Sequence, residues 1–203
     1  MQQVMVIHGG DTFRTPEDCL VFLDREGDNL TLEDFQRKGW KSGLSTALGE
    51  RFAVYAPSMP NKWDARYEQW KLWFEKVIAL MDDGIVLVGH SLGGTFLAKY
   101  LSTERCPKKI RSVFLVAPCY NETGDGNREY LGGFLPPEDK RLFIEQAGKV
   151  FVYHSEDDDV VPFSSLADYQ RDLPDATYRV FKDRGHFLQE EFPELVQDIL
   201  SLK

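Results

Sequence analysis

Gly89-His90-Ser91-Leu92-Gly93-Gly94 fits the G-x-S-x-G pattern, in which a serine is held on a sharp, strained turn between a strand and a helix. The reason is steric: the chain reverses so tightly that the residues two places either side of the serine must be small, and Gly89 and Gly93 meet that need. Such a turn lifts the Ser91 hydroxyl clear of the backbone. It also sets the Leu92 amide at a helix N-terminus, where it can donate to an anion. A serine hydroxyl is a weak nucleophile until a base takes its proton. Histidine, with an ordinary pKa of about 6.5, is the natural base. Of the four histidines, His8 and His90 sit beside glycines in tight motifs and read as structural, and His154 runs into an acidic loop. His186 lies in Asp183-Arg184-Gly185-His186-Phe187, after the last apolar run, where Gly185 permits a tight loop that presents the ring. A third group, a carboxylate, must fix the imidazole tautomer. The run Asp157-Asp158-Asp159 offers three choices. This set supports acyl transfer through an acyl-enzyme, with activity falling at acid pH as the base protonates. It calls for no metal and no cofactor, and no G-x-G-x-x-G dinucleotide fingerprint is present.

These residues need elements to position them. Short apolar runs at 4–7, 52–56, 85–88, 112–117, 150–153 and 177–181 each end at a turn former and read as parallel strands buried on both faces. Helical spacing is clearest over 64–81, where Tyr67, Trp70, Phe74, Val77, Ile78 and Met81 make one apolar face and Asp64 can cap the start. Residues 95–101 and 193–202 also read as helices. The alternation predicts a doubly wound α/β fold with a mostly parallel six-stranded sheet and flanking helices, forming one domain over 1–203. Its site is expected at the carboxyl ends of the strands. Two stretches, 11–50 and 120–148, are candidate partial lids or plain surface connections. They hold weak helical patterns at 32–38, 44–48 and 138–146.

Taken together, His8-Gly9-Gly10 after the first strand, GHSLGG, the D-x-x-V-P loop and the closing GHF resemble the α/β-hydrolase superfamily over nearly the whole chain. The short length resembles the compact hydrolases related to the retinoblastoma-binding protein nine family, which lack a large cap domain. The resemblance implies a Ser91, Asp158, His186 triad, the acid standing in the D-x-x-V-P position. It also implies an oxyanion hole made by the backbone amides of Gly10 and Leu92. The resemblance specifies the superfamily and no substrate; the expected activity is that of a serine esterase acting on small carboxylic esters. Thioesterases, amidases, peptidases and acyltransferases share the same triad, and a non-catalytic interaction protein on this fold is the remaining alternative. Hydrolases of carbon–halogen bonds or epoxides are set aside, because they carry a carboxylate at the elbow where this chain has Ser91. Phe13, Met59, Tyr120, Phe134, Phe163 and Phe187 lie close to predicted strand ends and are candidate pocket residues.

Composition sets outer bounds. The chain has 203 residues, 42% hydrophobic and 28% charged, which suits a globular domain with a sizeable core. Its 33 acidic against 24 basic side chains give a formal net charge of -9, which disfavours nucleic acid and anionic membranes as partners. The apolar runs fall far short of the roughly 20 residues that span a bilayer. No basic, then apolar, leader precedes the first strand. Cys19, Cys106 and Cys119 are odd in number and widely spaced, which fits reduced thiols and a cytoplasmic setting. The expected partner is a small-molecule ester.

Overall fold

The structure is a computed structural model that describes residues 1–36, 38–121 and 130–202. Six strands form one sheet in the order β2-β1-β3-β4-β5-β6: β1 (Gln2–Ile7), β2 (Phe52–Tyr55), β3 (Ile85–His90), β4 (Ile110–Val116), β5 (Lys149–Ser155) and β6 (Thr177–Phe181). All five pairings are parallel. The reversal of strand order beside β1 is the doubly wound arrangement expected from the alternation of strand and helix. Seven helices accompany it among the described residues: α1 (Pro16–Gly27), α2 (Trp40–Leu48), α3 (Tyr67–Ile78), α4 (Leu92–Thr103), α5 (Arg141–Gln146), α6 (Ser165–Asp172) and α7 (Pro193–Leu200).

Period-two alternation along the strands splits the core into two layers. Met5, Ile7, Ile85 and Leu87 point to one face and pack with Trp70 and Phe74 of α3 and Phe96 and Leu97 of α4. Val4, Val6, Val86 and Val88 point to the other and pack with Trp40 and Leu44 of α2 and Leu195 and Ile199 of α7. Trp70 is fully buried, and burying a side chain of that size stabilises the fold by roughly 3 kcal/mol. The expectation of strands buried on both faces holds for β3, in which every residue is buried. It fails for β2 and β6, which keep half-buried and exposed positions because they are the sheet edges.

Three further expectations change. The long helix read from Asp64 begins at Tyr67, and Asp64 does not cap it: its carboxylate pairs instead with Arg66 at 2.8 Å. The helical pattern at 32–38 forms turns at 32–36 in place of a helix, whereas α1 and α6 arise where no helix was read. The 11–50 stretch divides in two. Its α2 half buries Trp40, Leu44 and Leu48 in the core, while α1 buries no residue and lies over the sheet's carboxyl end. In the other candidate lid, residues 122–129 lie outside the described residues. Among the described residues no helix is long and apolar enough to cross a membrane.

Candidate active site

The carboxyl end of β3 runs directly into α4, and Ser91 is the hinge between them. It adopts φ 56° and ψ −126°, a conformation that costs a non-glycine residue about 1–3 kcal/mol and persists only when its surroundings enforce it. The enforcement is visible. The Ser91 amide donates to Val116 O at 2.8 Å, and its carbonyl accepts from Gly94 N and Thr95 N at the start of α4. Gly93 is packed so tightly against the end of β1 that a Cβ there would stand 2.4 Å from Ile7 O. A side chain at that position would push the turn off the sheet, which is the steric demand read from the sequence.

The His8-Gly9-Gly10 turn closes the other side. A Cβ on Gly9 would lie 3.0 Å from Ser91 Cβ, so this backbone runs alongside the serine. His8 fixes its geometry. The Met59 amide donates to His8 Nε2 at 2.8 Å, which leaves the proton on Nδ1 to donate to Gly9 O. The Gly9–Gly10 peptide is trans, so the Gly10 N–H lies on the opposite edge from the carbonyl that His8 engages. Leu92 is the first residue of α4, where amides have no intrahelical acceptor. Gly10 and Leu92 both line the pocket that holds Ser91.

His186 enters that pocket from the loop after β6. Its Nδ1 stands 2.9 Å from Asp158 Oδ2 and 3.1 Å from Oδ1. The Asp158 side chain is fully buried, and its Oδ1 also accepts from the amides of Val160 and Val161 at 2.9 Å each. Those two amides explain the D-x-x-V-P spacing: the loop folds back to hydrogen-bond its own acid and so aims it at His186. Asp157 performs a different task, accepting from Ser155 Oγ and from Gly185 N at 2.9 Å, and the Ser155 hydroxyl leads in holding its carboxyl below the ordinary range. Asp159 is exposed. With Nδ1–H directed at the carboxylate, Nε2 of His186 carries the lone pair. Among the described residues Ser91 Oγ is not hydrogen-bonded to His186; such contacts commonly tighten only once substrate is bound.

The pocket has a volume of about 870 Å³ and is lined by Phe13, Phe22, Met59, Leu131, Val161 and Leu188 together with the polar groups above. Of the six candidate pocket residues, Phe13 and Met59 take that place. The other four are corrected by the structure. Phe134 is wholly buried edge-to-face on Trp70, with ring centres 5.2 Å apart. Phe187 lies on the opposite sheet face against Phe181 and Phe192. Tyr120 packs on Tyr169 and donates to Asp172, and Phe163 is half-buried ahead of α6, outside the lining. Sequence proximity to a strand end could not say which way these rings turn. Phe22, Leu131 and Leu188 were missed because they come from connections without apolar periodicity.

His154 is also instructive. It is fully buried at the end of β5, neither ring nitrogen has a hydrogen-bond partner among the described residues, and burial pushes its pKa down to about 4. An unfolded chain binds that proton near 6.5, so the native state is stabilised above pH 6.5 and loses this contribution as pH falls toward 4. The full difference is on the order of 3 kcal/mol. We expect thermal unfolding of the wild type to shift downward through that window, and His154→Leu to flatten the pH dependence, as followed by circular dichroism. An unchanged slope in the variant would show that other groups carry it.

Comparison with known proteins finds relatives over most of the chain. The chain is 28% identical to the rat (Rattus norvegicus) protein Serine hydrolase RBBP9 over 165 residues, covering 81% of this chain and 84% of that one. It is 30% identical to YdeN of Bacillus subtilis over 149 residues, covering 71% of this chain and 76% of that one. The crystal structure of the B. subtilis ydeN gene product superposes with a TM-score of 0.78 at 22% identity, covering 100% of this chain and 98% of that chain, a likeness of fold. Residues 32–195 match the family described as Serine hydrolase. With the α/β-hydrolase fold and a match over most of its length, the chain belongs to the Serine hydrolase family.

Proposed function

We propose that this hydrolase cleaves small carboxylic esters through an acyl-enzyme on Ser91, a carboxylesterase-type reaction. The observation that carries the reading is the meeting of three groups from three separate loops: Ser91 on its strained turn, His186 in the same pocket, and Asp158 buried 2.9 Å from His186 Nδ1. His186 Nε2 takes the Ser91 proton as Oγ attacks the acyl carbon. The Gly10 and Leu92 amides receive the oxyanion, and His186 returns the proton to the departing alcohol. Water then attacks the acyl-enzyme by the same steps in reverse, restoring Ser91 and releasing the acid. The pocket's size and mixed lining suit a small-molecule ester, and the net charge of -9 disfavours a nucleic acid or an anionic membrane as partner. The cytoplasmic setting read from the cysteines belongs to the same proposal.

The test is intact mass after treatment with a fluorophosphonate, followed by a panel of p-nitrophenyl esters, thioesters, amides and added alcohol acceptors. One adduct on the wild type and preferential ester hydrolysis are expected. A labelled enzyme that prefers thioesters, amides or transfer to alcohol would move the substrate class. Folded protein without an adduct would favour a binding role for the fold.

A further inference from the structure

The start of α2 grips the His186 loop at three carbonyl groups. The Trp40 amide donates to Gln189 O at 3.0 Å, and the Trp40 indole Nε1 donates to Phe187 O at 2.9 Å. The third grip is indirect. Lys41 Nζ lies 3.1 Å from His90 Nδ1, and His90 Nε2 lies 2.8 Å from His186 O. The chemistry of the donors orders this relay. An ammonium group can only donate, so Nδ1 of His90 must accept, and the ring's single proton sits on Nε2, facing a carbonyl that can only accept. His90 is buried, and burial together with the Lys41 charge keeps its ring neutral. Without Lys41 only the His186 carbonyl holds the Nε2–H tautomer and Nδ1 has lost its donor, so the other tautomer, which sets a lone pair against that carbonyl, can compete. The unpaired nitrogen and carbonyl would then drive the loop apart. Trp40 closes the shell around the same ring, edge-on to His90 with centroids 6.0 Å apart.

We propose that Lys41 is a positioning residue for the reaction, fixing His90 as its Nε2–H tautomer so that His90 holds the backbone of His186 and keeps its ring on Asp158. The proposal rests on His186 being the base. It gives a place to two residues that the reaction itself leaves unused: the histidine beside the nucleophile, and a half-buried lysine for which no carboxylate partner is found among the described residues. Burial lowers the Lys41 ammonium to about 8, so its charge is largely kept at neutral pH.

The test combines kinetics with a readout that needs no turnover. Nitrogen-15 NMR of the ring nitrogens should show His90 as the Nε2–H tautomer in wild type and as a mixture in Lys41→Met. In the same variant kcat should fall roughly 10- to 100-fold, as for misplacement of a reacting group, with KM within twofold for neutral and anionic esters alike. Lys41→Arg, which keeps a charged donor, should recover most of the loss. If Lys41→Met does not fold, Lys41→Leu, which likewise carries no donor, is read in the same way. An unchanged His90 tautomer in the variant would overturn the relay. So would an unchanged kcat, or a loss confined to anionic esters, which would make Lys41 a substrate contact. Absence of ester hydrolysis by the wild type refutes the proposed function instead, and the NMR result still decides the relay.

Discussion

Ser91→Ala is expected to lower kcat by roughly 10^5- to 10^6-fold, with KM within a few-fold of wild type and the fold intact. The magnitude follows from what is removed. Without Oγ there is no acyl-enzyme, and the residual rate reflects substrate held near the Gly10 and Leu92 amides while water attacks unaided. The same position separates chemistry from strain. Alanine keeps a Cβ at φ 56°, whereas glycine occupies that region freely. Ser91→Gly should therefore be as inactive as Ser91→Ala yet more stable by about 1–3 kcal/mol, read from urea unfolding. Initial rates on a p-nitrophenyl ester and the mass of the fluorophosphonate adduct check the first part. A Ser91→Ala enzyme that retains more than a hundredth of wild-type turnover would remove Ser91 as nucleophile. Equal stability of the two variants would mean that the turn is not strained.

The particular residues explain how far the sequence could be read. The strands and the turn were legible because their signals are local and severe. Runs such as Ile85-Val86-Leu87-Val88 leave few alternatives to a buried strand, and Gly93 stands where no side chain fits. The acid was less legible: its run offered three aspartates and only the family resemblance singled out Asp158, for which the amides of Val160 and Val161 supply the physical reason. The first helix escaped although its start was written in the sequence. Thr15-Pro16-Glu17-Asp18 forms a complete capping box, with Thr15 and Asp18 exchanging side-chain to backbone hydrogen bonds, but α1 buries nothing and so lacks the apolar stripe by which a helix is read. Pocket residues were the least legible. Phe13 and Phe187 carry the same side chain and each follows a strand-end motif, yet Phe13 lines the pocket while Phe187, at φ 54°, turns into the core on the other side of the sheet. Such choices depend on long-range packing. The same is true of the Lys41–His90 contact, whose partners lie 49 residues apart and share no pattern that a sequence displays.

Among the three adjacent aspartates, Asp158→Asn should cost kcat about 10^3- to 10^4-fold, while Asp157→Asn and Asp159→Asn stay within roughly tenfold of wild type. In Asp158→Asn the two amides of Val160 and Val161 keep the side-chain oxygen on their side, because only an oxygen can accept from both. The new amide nitrogen is then left facing His186 Nδ1, where the carboxylate oxygen stood at 2.9 Å. At 2.9 Å this donor opposes the Nδ1 proton more closely than the retained oxygen at 3.1 Å attracts it, so the imidazole shifts toward a lone pair at Nδ1 and a proton on Nε2. That tautomer has nothing with which to accept the Ser91 proton. Asp157→Asn poses no such conflict, since an asparagine oxygen can still accept from Ser155 Oγ and Gly185 N, and the expected loss is in loop stability. Asp159 is exposed, and its amide should be silent. Steady-state kinetics on the three purified variants, with unfolding curves to show that each is folded, decide the matter. Equal turnover in all three would detach Asp158 from the reaction and reduce its contact with His186 to a structural pairing.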